Sequence, residues 1–154
     1  MKKLIALVLA IVLVFGLVAC GAKDGGVKTY KVGVAIYNYN DNFMTLYRQE
    51  IENYFKTLET DTVKYEITMV DGKNDMAEQT NQIDTFITQK MDVIICNLVQ
   101  TSSAEVIIDK VVAADIPLIL INREPLGETD ESYPGIINNE KACYVGADAR
   151  QSGT

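Results

Sequence analysis

The sequence predicts an α/β protein built on a doubly wound parallel sheet, and two observations predict it. From Thr29 onward, short runs rich in Val, Ile and Leu alternate with longer segments of helical periodicity, the pattern of strands laid side by side through helical crossovers. Two of the short runs, Val93-Ile94-Ile95 and Leu118-Ile119-Leu120-Ile121, are apolar without alternation. Strands read this way when helices cover both faces of a parallel sheet.

The elements follow in order. Residues 30–36, 65–70, 92–98 and 117–122 read as strands, and 142–146 as a fifth. Phe43, Tyr47, Ile51, Tyr54, Phe55 and Leu58 recur at helical spacing after the first strand. Met76, Thr80, Ile83 and Ile87 do so after the second, and Ala104, Ile107, Ile108, Val111 and Val112 after the third. Three amphipathic helices are therefore expected.

The N-terminus stands apart from this pattern. Lys2-Lys3 precedes an apolar and small-residue run over 4–19 that ends at Leu17-Val18-Ala19-Cys20-Gly21. The run is shorter than the roughly 20 residues a membrane span needs, and it has the layout of an export signal. Leu17-Val18-Ala19-Cys20 resembles the bacterial lipoprotein cleavage box, in which a small residue lets the peptidase close on the chain and the cysteine thiol takes the diacylglycerol. The competing reading is a signal anchor with an incidental cysteine. On the lipoprotein reading, residues 1–19 are a signal peptide and Cys20 is the lipidated first residue. Residues 20–28, with Gly25-Gly26 and no apolar periodicity, then form a flexible tether, and 29–146 form the folded lobe. Acyl chains would hold the protein on the outer face of the membrane, each buried methylene contributing about 0.8 kcal/mol.

Composition excludes several function classes. The 154-residue chain has a formal charge of -7 and no histidine, so histidine triads, histidine metal ligands and histidine proton relays are ruled out. Removal of Lys2 and Lys3 with the signal would leave about -9. Basic residues are not clustered beyond that pair, which argues against a nucleic-acid partner. Cys96 and Cys143 lie in apolar runs and read as buried strand thiols; nothing in their spacing pairs them, and without CxxC a cysteine metal site is not expected. Neither GxGxxG nor GxxxxGK[ST] occurs, which weighs against dinucleotides and nucleoside triphosphates. No cofactor is expected.

Ligands of such sheets bind beyond the carboxyl ends of the strands. There the sequence places residues 38–43, 71–75, 97–100 and 122–125, so Asn38, Asp41, Asn97 and Asn122 should converge on one rim. Tyr37-Asn38-Tyr39-Asn40-Asp41-Asn42-Phe43 supplies amides, a carboxylate and an aromatic face where a helix begins. Such a set of groups suits a neutral polyol.

These residues also carry a family resemblance. Tyr37 to Met44, Lys73-Asn74-Asp75 with Gln79-Thr80-Asn81-Gln82-Ile83-Asp84, Asn97-Leu98-Val99, Asn122-Arg123-Glu124-Pro125 and Tyr144-Val145-Gly146-Ala147-Asp148 are similar, in order, to motifs of the periplasmic galactose/glucose-binding proteins. These are the substrate-binding components of sugar ABC importers, with the two-lobed type I binding-protein fold. The resemblance implies that Asp41 accepts a hydrogen bond from a hexose hydroxyl, that Phe43 stacks on an apolar face of the pyranose and that Asn122 donates to ring hydroxyls. Tyr37 and Arg123 are implied as further residues lining the cleft. The chemistry agrees, because a carboxylate is a strong acceptor for hydroxyls and an aromatic ring covers the C–H patch of a sugar. Asn97 is left out of the site.

Local pattern alone leaves other readings open. Asp41 also fits a helix N-cap, Phe43 the first core residue of that helix, and Asn122 a turn before Pro125. Asp71, Lys73 and Asp75 resemble the start of a calcium loop, but the lysine and the lack of a fitting downstream glutamate make the segment a loop capping the helix from Met76. Arg123-Glu124 and Asp130-Glu131 are sequence neighbours rather than carboxylates facing one bond, so they read as solvated charges and not as hydrolytic pairs.

The resemblance also bears on the C-terminus. Residues 147–154 look like the start of a crossover into a second lobe, so the chain is expected to be a truncated, one-lobe form. Its implied partners are a hexose such as galactose or glucose and an ABC permease in the membrane. A ligand-presenting subunit for a chemoreceptor or sensor kinase would need the same fold and site. An exported sugar-active enzyme would need a nucleophile and base, which the motifs do not provide, and the export signal stands where a related repressor would carry its DNA-binding headpiece.

Overall fold

The computed structural model describes residues 26–126, 136 and 139–147. Cys20, the segments 1–19 and 148–154, and the pair Asp130-Glu131 lie outside the described residues. Five strands, β1 (Lys28–Ile36), β2 (Val63–Asp71), β3 (Val93–Cys96), β4 (Leu118–Ile121) and β5 (Ala142–Val145), form one sheet in the order β2-β1-β3-β4-β5. Every neighbouring pair is parallel. The helices are α1 (Asn42–Leu58), α2 (Met76–Thr88) and α3 (Ala104–Ala113), the last preceded by a 3-10 turn at Thr101–Ser103. Since Lys28 already pairs with Val63, the sheet begins one residue inside the segment expected to be tether.

The two faces are packed separately. Val32, Val34, Ile36, Ile95 and Ile121 meet Met44 of α1, with Tyr47, Ile51 and Phe55 packed around them. The alternate residues Ala35, Ile94, Cys96, Leu118 and Leu120 meet Ile83 and Phe86 of α2 and Ile107, Ile108 and Val111 of α3. Helices on both faces explain why β3 and β4 are apolar throughout. Each fully buried Ile, Leu or Phe contributes about 1.5–3 kcal/mol relative to its exposed state. Gly33 makes room for one of them, since a Cβ there would lie 2.7 Å from the Phe86 ring.

Two expectations of burial need correction. Helix α1 turns Met44 inward, whereas Phe43, Tyr54 and Leu58 of the expected apolar face are 59%, 65% and 40% exposed. Spacing within the helix was compatible with either face at those positions; contact with the sheet selected Met44, Tyr47, Ile51 and Phe55. Cys143 is exposed, while Cys96 is buried as expected, and both thiols are free. The reason is position in the sheet. Among the described residues β5 is an edge strand: Ala142 and Tyr144 face the α2–α3 core, but Cys143 and Val145 alternate to the other side and are exposed. An open apolar groove of about 340 Å³ lies there, lined by Tyr47, Ile51, Phe55, Ile119 and Val145.

Candidate functional site

The strand order places β1 and β3 side by side although β2 intervenes in sequence, so the chain leaves the sheet in opposite directions at their carboxyl ends. A crevice opens at such a switch point. The β1–α1 loop enters it with Asp41 as the N-cap of α1, its Oδ1 accepting from the Met44 N–H at 2.9 Å. The second oxygen, Oδ2, accepts from the Tyr37 hydroxyl. The cap and the bond to Tyr37 therefore fall on different oxygens of one carboxylate. The Tyr37 hydroxyl, and after it the Met44 N–H, hold the Asp41 carboxyl below its ordinary value of 3.8. The same pairing raises the Tyr37 phenol above 10.0. Phe43 begins the first turn of α1 with its ring on the surface, stacked 5.8 Å from that of Tyr47.

Arg123 reaches this loop from the end of β4. Its guanidinium sits 3.8 Å from the centre of the Tyr37 ring, and its Nη1 donates to the carbonyls of Val99 at 2.6 Å and Leu98 at 3.3 Å. Arg123 is thus a packed and bonded side chain, contrary to its reading as a solvated charge. Planarity explains why an arginine serves there: one face covers an aromatic ring while the edge nitrogens bond to carbonyls. Tyr37, Asp41 and Arg123 form one connected group. Asn122 is exposed beside it, and a groove of about 650 Å³ runs between Gln100, Thr101 and Ser102 on one wall and Asn122, Arg123 and Glu124 on the other.

Asn97 lies beneath the rim and not on it. Fully buried, it donates from Nδ2 to the Ile121 carbonyl at 3.0 Å, tying β3 to β4. Gln79 of α2 is equally buried and bonds twice to the same loop: Nε2 to the Asn97 carbonyl at 2.9 Å, and Oε1 from the Val99 N–H at 2.8 Å. Sequence reasoning passed over Gln79 as part of a motif. Its signal was a polar residue one turn before Ile83 on the buried stripe of α2, where only a bonded amide is tolerated.

Around the rim, Asp71 accepts at Oδ1 from the Tyr39 and Lys73 N–H groups, and Asp75 caps α2 by accepting from Ala77 and Glu78. The 71–75 segment is accordingly a capping loop. Among the described residues, no group of three or more Cys, Asp or Glu side chains is placed to hold a metal ion, and no helix is long and apolar enough to cross a membrane.

The model of the periplasmic binding protein domain matches residues 32–154. The chain belongs to this family. Among its relatives, the D-galactose/methyl-galactoside binding periplasmic protein MglB of Haemophilus influenzae is 33% identical over 80% of this chain and 34% of its own length. A xylitol-binding protein of Mycolicibacterium smegmatis is 30% identical over 70% of this chain and 30% of its own. An ABC transporter solute binding protein of Bacillus halodurans, solved with bound myo-inositol, superposes with a TM-score of 0.61 at 32% identity, covering 84% of this chain and 39% of that one. The chain spans about a third of the length of the relatives it matches, and the part it spans is a lobe of the type I binding-protein fold.

Proposed function

We propose that this chain forms one jaw of the sugar site of an extracytoplasmic, lipid-anchored substrate-binding protein that serves an ABC importer, with a galactose- or glucose-type hexose as ligand. In this reading Cys20 carries the lipid after cleavage of 1–19, and residues 20–27 form the tether. Asp41 accepts from a sugar hydroxyl, Phe43 offers its stacking face, Asn122 donates to ring hydroxyls, and Tyr37 and Arg123 line the cleft. The observation that carries the proposal is an exposed aromatic ring at Phe43 two residues after the Asp41 carboxylate at the start of α1. An aromatic plane and a charge-assisted acceptor together match a pyranose, which shows C–H groups on one face and hydroxyls at its edge. The named ligands of the relatives, a galactoside, xylitol and myo-inositol, are all neutral polyols. The reading assigns binding, in keeping with the relatives, each of which is named a binding protein.

The chain spans about a third of these relatives, and in this reading the remainder of the cleft comes from sequence that it does not span. A half-site should bind weakly, with a dissociation constant on the order of millimolar, a free energy near -4 kcal/mol. Titration of the purified chain with galactose, glucose and myo-inositol, followed by amide chemical shifts, tests this. Shifts should centre on Asp41, Phe43 and Asn122 and disappear in Asp41→Asn, which keeps a good N-cap but removes the charged acceptor. Unchanged binding in Asp41→Asn would overturn the assignment of the site. Submicromolar affinity would overturn the half-site.

A further inference from the structure

Asn122 has an unusual backbone. Its φ is 63°, and it is the central residue of a three-residue turn closed by the Arg123 N–H donating to the Ile121 carbonyl at 2.7 Å. Turns of this form are rare and strained. The left-handed residues Lys90 and Asp115 follow α2 and α3, where a helix end calls for that conformation. Asn122, like Lys73 and Asn74 in the loop after β2, follows a strand. Asparagine tolerates the region better than most residues, yet glycine would occupy it without strain.

Both backbone groups of Asn122 are tied to the edge strand β5. Its N–H donates to the Val145 carbonyl at 3.0 Å, and its carbonyl accepts from the Tyr144 hydroxyl at 3.0 Å. The Tyr144 ring reaches that carbonyl by lying across Gly146. A Cβ at residue 146 would stand 2.0 Å from the Tyr144 hydroxyl oxygen and 2.3 Å from the ring carbon that bears it. Gly146 is thus required by the path of the Tyr144 side chain.

We propose that Tyr144 is a positioning residue for the sugar site: lying over Gly146, it fixes the Asn122 turn and thereby presents the Asn122 carboxamide to the groove at the end of β4. The inference rests on the reading of Asn122 as a sugar-binding residue. A strained turn persists where its surroundings hold it, and strain kept at a candidate site points to a geometric requirement there. The requirement here is orientation. An amide has to meet ring hydroxyls with its N–H groups in a set direction, and a free Asn122 would lose that order on every binding event.

Two readouts separate this proposal from the sugar reading. The first needs no sugar: the intraresidue amide-to-Hα NOE of Asn122, which is strong for a positive φ, is measured in the chain and in Tyr144→Phe and Gly146→Ala. It should be strong in the parent and weakened in both variants, with the amide spectrum of β1 to β3 unchanged. An undiminished NOE in Tyr144→Phe overturns the proposal. The second is a double-mutant cycle on galactose binding. Tyr144→Phe should weaken binding about fivefold, the worth of one net hydrogen bond, and should have no effect in an Asn122→Ala background. An equal loss in both backgrounds overturns the positioning role. If the parent chain binds no hexose, the sugar reading fails, and the NOE still decides whether Tyr144 holds the turn.

Discussion

The Arg123 guanidinium lies over the ring of Tyr37, 3.8 Å from its centre, while one of its nitrogens is held by the Val99 and Leu98 carbonyls. The end of β4, the loop after β3 and the loop after β1 are thereby joined into a single rim. Replacing Arg123 with Met keeps the apolar stem and removes the stack and both bonds. Urea unfolding should show a loss of about 2 kcal/mol, of which roughly 1 kcal/mol should be coupled to Tyr37 in a cycle with Tyr37→Leu. A cost within about 0.5 kcal/mol of zero is what a solvated arginine would give.

The Tyr37 hydroxyl bonded to Asp41 makes the rim sensitive to acid. Asp41 has a lowered pKa in the folded protein, so the stabilisation it provides is complete above its ordinary value of 3.8 and is lost as pH falls through the folded value below that. Tyr37→Phe removes the largest cause of the shift. The Asp41 carboxyl carbon, followed by NMR through the acid range, should then titrate at higher pH, closer to 3.8. An unchanged midpoint would show that the Met44 cap alone sets it.

Gln79 bonds to both backbone groups that begin the β3–α3 connection. Gln79→Leu fills the same space and leaves the Val99 N–H and the Asn97 carbonyl without a partner inside the protein. At about 1–3 kcal/mol for each stranded group, the loss should be about 3 kcal/mol, read as a lower urea midpoint with an unchanged slope. A near-neutral substitution would mean that water replaces the amide.

The two free thiols of the sheet should differ in reactivity. Burial pushes the Cys96 thiol up to about 12, so little thiolate forms at neutral pH, whereas Cys143 faces solvent on the edge strand. Iodoacetamide treatment of the folded chain, with peptide mapping, should label Cys143 and spare Cys96 until urea is added. Labelling of Cys96 at a similar rate in the native protein would show that β3 opens locally.

Much of this was legible from residue order, and the exceptions have a common cause. The strands came within a few residues of their observed limits because an apolar run between polar turns is a local signal. The capping loop before Met76 was legible for the same reason, whereas the cap at Asp41 stood only as a competing reading and is what the structure shows. Cys143 and Arg123 were misjudged. Whether a strand lies at the centre or the edge of a sheet, and whether an arginine finds carbonyls to bind, depends on neighbours far away in sequence.

The sequence by itself determined the alternation of strands and helices, the apolar interior of β3 and β4, and the concentration of amides, carboxylates and aromatic rings after the strands. Those properties follow from side-chain periodicity and from the local chemistry of caps and turns. Only the tertiary structure decided that Phe43 faces solvent while Met44 is buried, that Asn97 braces β4 from below, and that Arg123 covers Tyr37. It also decided that Asn122 takes a left-handed backbone and that its carbonyl accepts from the hydroxyl of Tyr144 on β5. Each of these depends on which strands become neighbours, and strand order is set by long-range burial and hydrogen bonding that no short stretch of sequence contains.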